Sequence, residues 1–192
     1  MLFGGFSSGA IEIRAGADGT RRLSGRFAYG VRTTLSEGRG GRLEEQFAAR
    51  AFQLQDEVHL LAHHDFARPL ASRSTGTLEL RNDDTALSFE AVITPQIAGT
   101  SHARDVMALV DGGLSVGLSP GFTLAPSERA EKVERQAGGV LRTVAEANLW
   151  ELSIVTRAAY SNATVQARNW SPGTDSPDAS RRFRLAMARW RA

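Results

Sequence analysis

Three short stretches of the chain carry side chains able to do chemistry. The first is His63-His64-Asp65, which follows the apolar run of residues 58–62. An imidazole at a strand end has a rigidly held backbone and a ring free to reach a cleft, which suits a general base. The plainer reading is a pair of surface histidines at a strand–turn junction. Alternation along a strand sends His63 and His64 to opposite faces, so only one of them can serve a given site. The second stretch is GGLSVGLSPGF, residues 112–122, in which Ser115 and Ser119 stand among glycines that let the backbone bend towards a substrate. Either serine is a candidate nucleophile, and a glycine-rich turn with incidental serines is the alternative. The third is Glu151, a charge inside the apolar stretch NLWELSIV. A carboxylate there either lies on a solvated strand face or is partly buried with a partner, such as an imidazole that it orients.

Composition limits what these groups can mean. The chain has 192 residues, enough to bury a proper core, and no cysteine. Disulfides, thiolate metal sites and a cysteine nucleophile are therefore excluded, and a reducing compartment fits. No apolar run approaches the roughly 18 residues of a membrane span, and MLFGGFSSGAIEIRAG lacks the basic start of a secretory signal. The expectation is a soluble intracellular protein. The net charge of +2 is uneven: Arg181, Arg182, Arg184, Arg189 and Arg191 crowd the last dozen residues, with no acid among them. The rest of the chain is near neutral, which argues against nucleic acid as a partner, because a binding domain carries its basic stripe on the folded body. No cofactor and no metal is expected. There is no P-loop, no GxGxxG after a strand and no HExxH. Binding one ion through His59, His63 and His64 would need a helix where the pattern reads as strand.

The elements that must position these groups follow from periodicity. Residues 10–35 alternate loosely between glycines and suit a hairpin. Residues 43–52, LEEQFAARAF, read as a short helix or as a loop ending on an aromatic anchor. Residues 77–80 and 86–93 read as strands around the polar turn Arg81-Asn82-Asp83-Asp84, with Leu87, Phe89 and Ala91 on one face. Residues 101–110 change to a helical period, with Ser101 as cap and Gly112-Gly113 as stop. Residues 114–124 read as a glycine-punctuated strand or turn, and 125–139 as an exposed hairpin or loop. Residues 140–155 return to strand, with Leu149, Glu151, Ser153 and Val155 on one face and Trp150, Leu152 and Ile154 on the other. From 171 to 180 the composition is that of a linker. The expected class is α+β and β-rich, a barrel or sandwich and not a βαβ sheet.

The order and spacing of these blocks carry a resemblance. VHLLAHHDFARPLASRSTGTLELRNDDTALSFEAVI resembles the block around the active histidine in the prohead maturation proteases of tailed phages. GLSPGF resembles that family's Ser-x-Gly-Phe block, and the helix DVMALVDGG precedes it as expected. ANLWELSIVTRAAYSNATV resembles the closing block, in which Leu-x-Glu-Val-Ser-Leu-Val is followed by Pro-Ala. FAYGV and FAARAF match the opening segments more loosely, so the likeness runs over residues 26–167.

The resemblance implies a serine endopeptidase with a fold similar to herpesvirus assemblin, an antiparallel β-barrel with peripheral helices. By the same likeness Ser119 is the nucleophile, His64 the general base and Glu151 the group that orients the imidazole. Ser115 remains a rival nucleophile and His102 a rival third member. There are departures: Ala158-Ala159 stands for Pro-Ala, Ala71 for a glycine, and Pro120 has no N–H to offer an oxyanion. The implied domains are a protease domain at 1–170, a linker at 171–180 and a basic amphipathic tail at 181–192. The implied partners are the major capsid protein and scaffold segments, with self-association open and no membrane. The implied place is the prohead interior in the host cytoplasm, with retention in the virion open. The alternative function is a protease-derived capsid component with idle catalytic groups.

Overall fold

The computed structural model describes residues 1–3, 11–16, 18–38, 41–114 and 116–156. In chain order the elements are β1 (Leu2–Phe3), β2 (Glu12–Ala15), β3 (Arg21–Ala28), β4 (Thr33–Gly38), β5 (Gly41–Phe47), β6 (Phe52–Ala62), β7 (Asp65–Ser72), β8 (Leu78–Asn82) and β9 (Ala86–Ile93). There follow α1 (Pro95–Ala98), α2 (Ser101–Asp111), β10 (Val116–Leu124), β11 (Glu131–Gln136), β12 (Gly139–Val144) and β13 (Ala147–Thr156). The strands form three sheets, ordered β1-β10-β13-β6-β7, β11-β12-β5-β4 and β2-β3-β9-β8. The β-rich α+β class holds. None of the three sheets closes into a barrel, and two of the pairings, β12 with β5 and β13 with β6, are parallel. The anticipated single antiparallel barrel is thus replaced by three open sheets around one core.

That core is aromatic where the sheets meet. Phe27 of β3, Phe47 of β5, and Phe52 and Phe122 of the sheet of β6 and β10 pack with ring centroids 4.9–6.2 Å apart, mostly edge to face. Edge-to-face contact aligns the positive ring edge with the negative face of its neighbour. Leu23, Leu60, Leu87, Phe89, Leu118, Leu149, Leu152 and Ile154 are among the residues that extend the cluster. The β8–β9 hairpin forms as the alternation predicts, with Leu87, Phe89 and Ala91 buried and Glu90 exposed. In its turn, Asp83 accepts hydrogen bonds from the Thr85 hydroxyl and from the Thr85 and Ala86 amides, which hold its pKa down to about 2.

Two readings need correction here. Residues 43–52 are not a helix: 43–47 lie in β5, 48–51 form a tight turn, and Phe52 opens β6. Leu43, Glu45 and Phe47 share a face, and the glutamate at its centre hid the alternation. It points inward because Arg142 of β12 comes to meet it, Nη1 to Glu45 Oε2 at 2.8 Å, while Arg142 Nε reaches Glu131 at 2.7 Å. The guanidinium also lies 5.8 Å from the centroid of the Phe122 ring. The helix α2 is as expected in extent, but its N-cap is Thr100, not Ser101. The linker 171–180, the tail 181–192 and the Ala158-Ala159 segment fall outside the described residues. Among the described residues, no helix is long and apolar enough to cross a membrane.

Candidate active site

The centre of the site is β13, the middle strand of the five-stranded sheet. On one side it pairs antiparallel with β10, setting Ser119 opposite Ser153 and Gly121 opposite Glu151. Residues directly opposite in an antiparallel pair project to the same face, as do residues two apart along a strand. Ser119, Gly121, Glu151 and Ser153 therefore share one face. Leu118, Leu152 and Ile154 project to the other face, into the core.

This arrangement depends on a bulge. Phe122 pairs with Leu149 and Gly121 with Glu151, so Trp150 is the extra residue on β13. Consecutive residues of β10 project to opposite faces, so Leu149 and Glu151 do as well. The simple alternation that placed Leu149 with Glu151 is broken there, and Leu149 joins the core. Bulges next to active sites re-aim a side chain in this way. Trp150 is anchored by its indole N–H, which donates to Thr123 Oγ1 at 3.0 Å.

On its other side β13 runs parallel to β6, which leads into the histidines. His63 and His64 do not continue the strand: they are the two-residue turn between β6 and β7, with Ala62 paired to Asp65. Both have positive φ, 56° and 60°, as a two-residue hairpin turn of the primed type requires. The strand alternation invoked for them does not apply, because neither is in a strand. The turn itself leaves His63 exposed and carries His64 towards β13. Left-handed non-glycine residues cost on the order of 1–3 kcal/mol each and persist where surrounding bonds enforce them. Two bonds do so here, His63 N–H to the Ile154 carbonyl at 3.0 Å and His64 N–H to Ser153 Oγ at 2.9 Å.

The His64 ring completes the geometry. Its Nδ1 lies 2.7 Å from Glu151 Oε1, and opposite an ionised carboxylate, which only accepts, Nδ1 is the donor. Glu151 is 0% exposed, and its Oε2 accepts from the Ser153 hydroxyl at 2.6 Å. A buried carboxylate satisfied at both oxygens can hold an imidazole in one tautomer, leaving Nε2 as the basic nitrogen. Ser119 lies on the same face and is 4% exposed. His102 sits elsewhere: its Nε2 is 3.1 Å from the Pro69 carbonyl and 3.3 Å from Thr100 Oγ1. Ser115 lies outside the described residues.

Two residues of the site escaped the sequence reading. Gly121 was read only as one of the glycines around Ser119 that let the backbone bend, yet what matters is its missing side chain. A Cβ built there would collide with the Glu151 carboxylate, coming within 2.7 Å of its Cγ and Cδ. Ser153 was noticed only as a neighbour of Glu151 on a strand face. In each case the signal was a spacing of two from a singled-out residue, which on a strand means the same face.

The structure thus brings together a buried carboxylate, an imidazole bonded to it, and a serine on the same face of the sheet. The chain matches the family model described as caudovirus prohead serine protease over residues 11–175, and it belongs to that family. No curated protein and no solved structure matches it.

Proposed function

We propose that this chain is an active prohead endopeptidase that cleaves segments of the major capsid protein and scaffold during head assembly, and also its own chain. Ser119 attacks the scissile carbonyl while His64 Nε2 takes its proton, since a serine hydroxyl is a poor nucleophile until a base removes that proton. Glu151 keeps Nδ1–H in place and stabilises the imidazolium as it forms. His64 then passes the proton to the leaving amine, and water activated by the same imidazole releases the acyl group. The observation that carries this reading is the 2.7 Å bond between His64 Nδ1 and the fully buried Glu151.

The test is incubation of the purified chain with the major capsid protein of the same phage, with new termini mapped by mass spectrometry. Ser119→Ala should abolish cleavage, a loss on the order of 10⁴ to 10⁶ in rate, with an unchanged melting temperature. Cleavage by Ser119→Ala at the wild-type rate, or none by the wild type, would sink the reading. The second outcome would leave the capsid-component alternative.

A further inference from the structure

The Ser153 hydroxyl makes two bonds that the proposed chemistry does not itself require. As donor it holds Glu151 Oε2 at 2.6 Å, and as acceptor it takes the backbone N–H of His64 at 2.9 Å. One oxygen thus ties the main chain of the imidazole to the far side of the carboxylate that the imidazole binds. Ser153 is fully buried and stands directly across from Ser119.

We propose that Ser153 is a positioning residue for the His64–Glu151 pair. A carboxylate held at Oε1 alone can turn about its last bond. Held at Oε2 as well, its plane is set, and Oε1 faces Nδ1. The His64 amide belongs to a turn with two left-handed residues and two anchoring bonds, of which Ser153 supplies one and the Ile154 carbonyl the other. Removing the hydroxyl therefore loosens both partners of the pair at once. Ser153 has no part in bond making: its proton is committed to Glu151, and its effect on rate passes through the imidazole. This role rests on the serine-hydrolase reading of Ser119, His64 and Glu151.

The experiment uses the full chain and a fluorophosphonate, which labels an activated serine and requires no knowledge of the natural substrate. Labelling of Ser119 is followed by mass spectrometry. The Nδ1–H of His64 is followed in parallel as a low-field proton resonance, assigned by its loss in His64→Gln. Ser153→Ala should label about 10- to 100-fold more slowly, the factor corresponding to one or two hydrogen bonds to a charged group, and the resonance should broaden or vanish. Ser153→Thr and Ser153→Val carry the same added bulk and differ only in the hydroxyl, so the comparison holds even if Ser153→Ala folds poorly. Thr should restore labelling and resonance, and Val should not. Equal labelling by Thr and Val, or an unshifted resonance in Ser153→Ala, would overturn the positioning role while leaving the hydrolase reading intact. Absence of labelling at Ser119 in the wild type would instead overturn that reading, and this role with it.

Discussion

Glu45 and Glu151 are both strand carboxylates removed from water, at 1% and 0% exposure. Glu45 meets Arg142 across the parallel pair of β5 and β12, where the guanidinium also holds Glu131. Glu151 meets His64, in the turn that follows the neighbouring strand β6, and Ser153, two residues along its own strand. The difference lies in the partner. An arginine keeps its proton at every pH a protein survives, so its pair can only hold strands together. An imidazole gains and loses a proton near neutrality, so its pair can take part in a reaction. One buried glutamate is thus a joint and the other, under the proposed function, part of a catalyst.

That contrast can be broken from either end. Glu151→Gln keeps the shape and removes the charge, and should lower the cleavage rate by up to about 10⁴ through loss of the correct tautomer. Its urea midpoint should stay close to that of the wild type, and a Gln enzyme of undiminished rate would exclude the orienting role. Arg142→Met should do the reverse. It strands Glu45 in the interior and should cost about 3–5 kcal/mol of stability, read by urea unfolding, with labelling of Ser119 unchanged in the folded fraction. Adding Glu45→Leu to it should recover most of that loss, because an apolar pair of similar volume fits where the ion pair stood. A double variant as unstable as Arg142→Met would mean that the pair does more than neutralise itself. The smallest effect belongs to His63→Ala, whose ring is exposed: the cleavage rate should stay within about threefold, the size of an ordinary surface change. A loss matching that of His64→Ala would place His63 in the site.

The β2–β3 and β8–β9 hairpins and the long helix were legible in the sequence because their periodicity is local. Leu87, Phe89 and Ala91 alternate against Ser88 and Glu90 with no interruption, and Val106 marks the buried side of α2. The candidate site was legible as residue types in order, through the blocks around His64, Ser119 and Glu151. What stayed hidden depends on partners far along the chain. The strand β5 was missed because Glu45 breaks its apolar face, and only Arg142 explains that. The bulge at Trp150 depends on the register with β10, which the order of residues on β13 does not reveal. The turn at His63-His64 was hidden because two histidines give none of the Asn-Gly signal that such a turn normally carries.

The position of β13 has a consequence for when activity can begin. This strand supplies Glu151, receives His64, and faces Ser119, and it is the last of the described strands to be synthesised. A nascent chain that has emerged only as far as β12 has its serine and its histidine but no carboxylate to orient them. Nor does it have the strand that joins β10 to β6. The pairings of β13 span from 23 residues (Leu124 with Ala147) to 95 residues (Phe52 with Ala147) of sequence, and the longer of these contacts form late in folding. Under the proposed function, the protease is therefore inert until β13 has emerged and paired, and completion of its central sheet is the step that arms it.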